Sequence, residues 1–229
     1  MKTIGLIGGM SWESTATYYQ IINQVINKQL GGLHSAKCVL YSVDFQEIEQ
    51  CQSSNDWQKS AQILLQAALS LQKAGADFIV ICTNTMHKVA PQILPHLNIP
   101  ILHIAEMTVK ALKKQNMTRI ALLGTKYTME QHFYREIIIQ HGIEVIIPDE
   151  QDRQIINDII FKELCLGVIK LNSKNAYLAI IDKLCRLGVQ GVILGCTEIG
   201  LLINQNDTAI PLFDTSLIHA QEAALYALG

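Results

Sequence analysis

Residues 71–85, LQKAGADFIVICTNT, and residues 184–198, LCRLGVQGVILGCTE, follow one pattern at a constant offset of 113. In each, a helical segment ends at a glycine, a run of branched apolar residues follows, and the run gives way to a polar turn. The alignment sets Gly75 against Gly188, Cys82 against Gly195 and Thr83 against Cys196. Flanking segments repeat too: TIGLIGG at 3–9 returns as RIALLGT at 119–125, and IPILHI at 99–104 returns as IPLFDT at 210–215. Three strands recurring in the same order predict a duplicated lobe. A pseudo-twofold molecule sets equivalent strand ends face to face, so Thr83 and Cys196 are expected to meet across one cleft.

Short Ile/Val/Leu runs (IGLI, CVLYSV, FIVIC, ILHI, IALLG, EVIIP, GVILG, IPLF) alternate with helical periodicity at 14–29, 58–74, 129–141 and 174–187. Continuously apolar strands are buried on both faces, the signature of parallel sheets flanked by helices and joined by right-handed crossovers. Four runs precede residue 105 and four follow residue 118. They predict an α/β fold of two pseudo-symmetric lobes, each a four-stranded parallel sheet flanked by helices, with the active site in the cleft between them. The expected boundaries are 1–104 plus 213–229 for the first lobe and 105–212 for the second. Helices at 105–115 and 215–228 follow equivalent strands, and sequence alone leaves open the lobe on which each packs. No Pro/Gly/Ser-rich linker separates the halves, so the lobes are expected to pack closely.

With 229 residues, 49% of them hydrophobic and 17% charged, the chain has the balance of a well-cored globular protein. A net charge of -2, with no basic run longer than Lys113-Lys114, argues against nucleic acid or an anionic membrane and for a small-molecule partner. The first apolar stretch is too short for a secretory signal, and no segment reaches the ~18 unbroken apolar residues of a membrane span. Six scattered cysteines, without CxxC or zinc-type spacing, predict a reduced, cytoplasmic protein without a metal site.

Ligands of open α/β sheets bind beyond the carboxyl ends of the strands. That rule selects Gly8 to Ser14, Asp44 to Gln52, Thr83 to His87, Thr125 to Thr128, Glu150 and Asp152, and Cys196 to Glu198. Thr83-Asn84-Thr85 and Cys196-Thr197-Glu198 each leave a buried strand and open a helix, where free N–H groups and hydroxyls can hold a carboxylate. Strand alternation points Cys82 and Thr83 in opposite directions, and the repeat chooses Thr83 for the cleft. Cys38, Cys51, Cys165 and Cys185 read as small core residues. Cys196, at a strand end and followed by two polar residues, reads as a chemical group, while Cys82 stays open between the two. The Gly8–Ser14 turn lacks GxGxxG and GxxxxGK[ST], so it reads as a tight βα turn with Ser11 as an N-cap. Gly124-Thr125 is its counterpart. His87 is open between a supporting and a catalytic role, and the other six histidines offer no usable spacing. Glu47 and Gln52 lie beyond the second strand, within possible reach of a substrate.

Taken together, GGMSWEST (8–15), CTNTMHK (82–88), LGT (123–125), ELCLG (163–167) and LGCTEIGLL (194–202) resemble the aspartate/glutamate racemase family across nearly the whole chain. The resemblance implies a two-lobed pseudo-symmetric fold, no pyridoxal phosphate, no metal and usually a homodimer acting on a small amino acid. It also implies two cysteines flanking the substrate α-carbon, one removing its proton and the other delivering a proton to the opposite face. This chain departs from the family's Cys-Asn-Thr: Thr83 precedes Asn84-Thr85, and the nearest cysteine is Cys82. The expectation is a racemase of aspartate or glutamate with Cys196 as principal base and Thr83 as opposing donor. Met10, Gln52, Asn84, Thr85, Thr125 and Thr197 are the expected substrate contacts. A thiol of reference pKa ~8.5 can act as a base beside N–H dipoles and a substrate ammonium, whereas a threonine hydroxyl cannot, so the two directions should differ in kcat. The stretch DFQEIEQCQ (44–52) holds no Lys or Arg, which leaves room for a broader set of amino acids. Rival readings are a one-cysteine isomerase or decarboxylase of another carboxylic acid, and a non-catalytic two-lobed carboxylate-binding protein.

Overall fold

Apolar runs become buried strands wherever helices can cover both faces. The computed structural model, which describes residues 1–229, resolves the chain into two compact units, 1–104 with 216–229 and 105–215. The first unit runs β1 (Ile4–Gly8), α1 (Trp12–Leu30), β2 (Cys38–Ser42), α2 (Phe45–Ser53), α3 (Trp57–Lys73), β3 (Phe78–Ile81) and α4 (Ala90–Ile93). β1 is central, paired in parallel with β2 and β3 so that Ile4 lies opposite both Cys38 and Phe78. Alternation sends Ile7, Ile79 and Ile81 to one face, where they meet Ile48, Leu64, Ala68 and Leu71. Ile4, Leu6, Phe78 and Val80 go to the other, against Tyr18, Ile22 and Ile26 of α1 and a stripe of alanines, Ala220, Ala223, Ala224 and Ala227, from the chain's last helix.

Two details depart from the sequence reading. The run CVLYS is an edge strand, β2, and leaves Leu40 and Tyr41 exposed. The expected fourth strand, 99–104, shrinks to a single bridge between Ile79 and Ile101, so this sheet has three strands. Pro100 offers a carbonyl but no N–H, and the backbone bonds are Ile79 N to Pro100 O (2.8 Å) and Leu102 N to Ile79 O (2.9 Å). The carbonyl that would carry the ladder onward, that of Leu102, accepts instead from His219 Nε2 at 2.8 Å.

The second unit continues with α5 (Ile104–Lys114, its first residue still counted with the first unit), β4 (Arg119–Gly124), α6 (Lys126–Glu130), α7 (His132–Gln140) and β5 (Glu144–Ile146). It then forms α8 (Glu150–Lys162), α9 (Leu171–Arg186), β6 (Val192–Gly195), α10 (Ile199–Leu202) and β7 (Leu212–Asp214), before α11 (Thr215–Leu228) rejoins the first unit. The four strands lie in the order β5-β4-β6-β7, all parallel. On one face Ala121, Leu123, Val192 and Leu194 pack with Ile156 and Ile160 of α8 and Tyr177 and Ile181 of α9. Within this unit α5 is tied by the hydroxyls of Thr108 and Tyr134 at 3.1 Å and by His141 Nε2 to Glu106 at 3.1 Å. The chain is thus an α/β protein with two parallel sheets, of three and four strands, flanked by helices. None of the helices is long and apolar enough to cross a membrane.

Candidate active site

In the second unit β6 ends at Gly195, packed so closely on β4 that a Cβ on Gly124 would stand 3.0 Å from the Gly195 carbonyl oxygen. The turn that follows buries Cys196 and Glu198 and leaves Thr197 half-buried. One carboxylate oxygen, Glu198 Oε2, accepts from Cys196 Sγ at 2.9 Å and from Thr197 Oγ1 at 2.7 Å. Burial, and after it the carboxylate of Glu198, hold the Cys196 thiol well above the usual range. The sequence reading anticipated dipoles that lower this pKa; the structure adds an anion that raises it. Cys196 at rest therefore keeps its proton, and Glu198 is the acceptor toward which that proton points. Thr125 caps α6, accepting from Thr128 N at 3.4 Å. Asp152, in a segment singled out from sequence, is committed to an ion pair with Lys183 Nζ at 2.8 and 2.9 Å, and Glu150 stands exposed at the start of α8.

The first unit carries the equivalent turn after β3. Cys82 is fully buried in the cluster formed with α1 and α11, and burial pushes its thiol far up. It packs there among core residues. Thr83 is half-buried, and Asn84 and Thr85 are buried. His87 Nδ1 lies 2.8 Å from the Thr83 carbonyl oxygen, and its Nε2 lies 3.2 Å from the Ile104 backbone N–H. A carbonyl only accepts and an amide N–H only donates, so Nδ1 must carry the proton and Nε2 must be bare. The ring contacts His103 and His219 edge-on at 4.6 and 5.6 Å. His219 is fixed in the opposite tautomer, Nε2–H donating to Leu102 O at 2.8 Å and Nδ1 accepting from the Tyr18 hydroxyl at 2.9 Å. Burial holds His87 well below the usual histidine range and takes His219 down to about 3.

Of the other expected contacts, Met10 lies in the buried cluster with Ile48 and Met86. Gln52 is also buried, and its Nε2 donates to Met86 Sδ at 3.2 Å. Glu47 stands exposed on α2. Ser11 does cap α1, accepting from Ser14 N at 3.4 Å, and Gly9 N donates to Thr15 Oγ1 at 2.9 Å. Gly9 sits at φ 91 with Val43 O only 2.1 Å from where a Cβ would go, which explains the glycine of this βα turn. Cys51 is buried, Cys38, Cys165 and Cys185 are half-buried, and all six cysteines are free. Nowhere do three His, Cys, Asp or Glu side chains converge as a metal site. Sequence reading missed the pairing of Glu198 with Cys196, for which the i,i+2 spacing was the only signal. It also missed the partners of His87, which come from distant segments and left no local pattern.

Two parallel α/β sheets, in each of which a buried strand ends in a short polar turn, are the frame of a two-lobed racemase. The chain belongs to the Asp/Glu/Hydantoin racemase family, whose model matches residues 7–223, and it is an isomerase of that kind. It is similar over the whole of both chains to a Yersinia pestis protein described as a candidate Asp/Glu racemase, with 59% identity and a TM-score of 0.94. An aspartate racemase homologue from Pyrococcus horikoshii matches at 33% identity and a TM-score of 0.87, again over the whole of both chains. A broad-specificity amino-acid racemase of Bacillus subtilis, RacX, is 26% identical over 219 residues, 93% of this chain and 92% of its own.

Two outcomes follow from the protonation states. Because Glu198 helps keep Cys196 protonated, Glu198→Gln should raise the iodoacetamide alkylation rate of Cys196 at pH 7.5, followed by mass spectrometry with Cys196→Ala as blank; a slower or unchanged rate would refute the assignment. The unfolded chain protonates its histidines near pH 6.5 while folded His87 and His219 do not, so their contribution to stability is present above that pH. It falls as pH drops below 6.5, by up to about 1.4 kcal/mol per pH unit for each histidine. Urea unfolding at pH 7.5 and 5.5 should show this loss, and His219→Gln, which keeps a donor for Leu102, should remove one histidine's share; identical pH dependence in both proteins would count against it.

Proposed function

We propose that this racemase interconverts the enantiomers of aspartate and glutamate by proton transfer at Cα, using its own side chains and neither pyridoxal phosphate nor a metal. The observation that carries the reading is the Cys196 thiol donating to a buried carboxylate, Glu198, at 2.9 Å. Moving the thiol proton to Glu198 breaks the S–H bond, forms an O–H bond and leaves the electron pair on sulfur. The charge of the pair stays constant in that step, which costs less in a buried site than expelling the proton and leaving two adjacent anions. The thiolate then takes the Cα proton, and the Thr83 hydroxyl delivers a proton to the other face of the carbanion, its O–H bond breaking as the new C–H bond forms; the oxygen regains a proton from solvent water as the Cys196–Glu198 pair, which has gained one, releases one to solvent. The substrate ammonium offsets the negative charge of the pair. Met10, Gln52, Asn84, Thr85, Thr125 and Thr197 are assigned as contacts that orient the substrate.

A thiol assisted by a carboxylate is a far better base than a hydroxyl, so kcat is larger in the direction in which Cys196 removes the proton. The enantiomers are equal in free energy, so kcat/KM is the same in both directions and KM carries the difference. A second reading, a racemase of a broader set of amino acids, is favoured by α2, which offers the neutral Gln52 and no cation for a side-chain carboxylate, and by the similarity to RacX. A cytoplasmic location and a homodimer complete the proposal. Six unpaired cysteines support the first, and the apolar Leu40 and Tyr41 that edge strand β2 leaves in solvent support the second.

The test is Cα-proton exchange in heavy water, followed by NMR across L- and D-amino acids. Aspartate and glutamate should exchange, and Cys196→Ser should slow exchange by about 10²–10⁴-fold while binding persists. Exchange of no amino acid by the wild-type protein, or full activity in Cys196→Ser, would overturn the proposal.

A further inference from the structure

We infer that His87 is a positioning residue for the Thr83 hydroxyl, an inference that rests on reading Thr83 as the proton donor. A hydroxyl that must deliver a proton to one face of a carbon has to be aimed, and at the end of a strand its aim is set by the two peptide planes that flank its Cα. Both planes are tied at Thr83. Its N–H donates to Ile81 O at 2.9 Å, and its carbonyl accepts from His87 Nδ1 at 2.8 Å. Fixing these planes fixes φ and ψ, hence the Cα–Cβ direction, and β-branching leaves few rotamers for the hydroxyl. His87 is the side chain that closes the second tie.

The histidine ring is itself held from its far side. Its Nε2 accepts from Ile104 N–H at 3.2 Å, and the edges of His103 and His219 back it within the same unit. His219 is anchored in turn between Leu102 O and the Tyr18 hydroxyl, which connects the Thr83 turn to α1 and α11. His87 is 1% exposed, so an apolar residue of similar size would leave a buried carbonyl and a buried N–H without their partner. Neutral imidazole meets both needs at once, donating on one edge and accepting on the other.

The two edges can be separated by substitution. His87→Asn keeps an N–H donor where Nδ1 stands, and His87→Gln keeps an acceptor where Nε2 stands but loses the tie to Thr83. If His87 aims Thr83, His87→Gln lowers kcat for Cα exchange by about 10²-fold at nearly unchanged substrate affinity. His87→Asn then keeps kcat near the wild-type level, even where the two variants lose similar thermal stability. Wild-type kcat in folded His87→Gln, or equal loss in both variants, overturns the inference. Should neither variant fold, 15N NMR of the wild-type protein decides: a protonated Nδ1 and bare Nε2 at His87 is expected, and a protonated Nε2 overturns it. Thr83→Val separates this from the underlying reading, because full activity in that variant removes Thr83 from the chemistry whatever the His87 variants do.

Discussion

A strand buried on both faces can end in a polar turn only where the protein itself meets the donors and acceptors of that turn. β3 and β6 are such strands, and each solves the problem with one side chain a few residues on. After β3, His87 reaches back to the Thr83 carbonyl. After β6, Glu198 reaches back to the Cys196 thiol and the Thr197 hydroxyl. The helices, the alternating apolar faces and the glycines at the strand ends serve to bury these turns deeply enough that each tie matters.

The same architectural answer yields opposite electrostatics. The first unit's turn is neutral: both histidines behind it are kept uncharged by burial, and its outward group is a hydroxyl. The second unit's turn holds one negative charge shared between a carboxylate and a thiol, with burial and the carboxylate both opposing ionisation of the sulfur. A resting thiol held protonated by burial and by the adjacent carboxylate suits a site that should stay inert until a cationic amino group arrives. It also shields the sulfur from adventitious alkylation and oxidation, which need thiolate. On the proposed reading, the lobe with threonine in its turn supplies an acid, and the lobe with cysteine supplies the base.

The repeat LQKAGADFIVICTNT/LCRLGVQGVILGCTE made most of this fold legible, because a glycine, a buried strand and a polar turn in fixed order leave few alternatives to a parallel α/β lobe. The family membership was legible from the motifs at the strand ends. Edge and centre were not: CVLY is an unbroken run of hydrophobic residues like FIVI, and only the sheet order exposes Leu40. The shortened strand at 99–104 was hidden for a related reason, since His219 takes its carbonyl from more than a hundred residues away. Cys82 could be assigned to the core only when α1 and α11 were seen to cover it. The sign of the effect on Cys196 also needed coordinates, because a Glu two positions on can point toward or away from a thiol.

On the proposed reading, Thr83 and Cys196 serve the two faces of a single α-carbon. This is tested most directly by racemising one enantiomer of aspartate in heavy water and stopping at low conversion. Deuterium is expected at Cα of the product and protium in the recovered substrate, because the group that removes the proton does not return one to the product face. Deuterium appearing in recovered substrate as fast as in product would contradict it, since a single group would then be serving both faces.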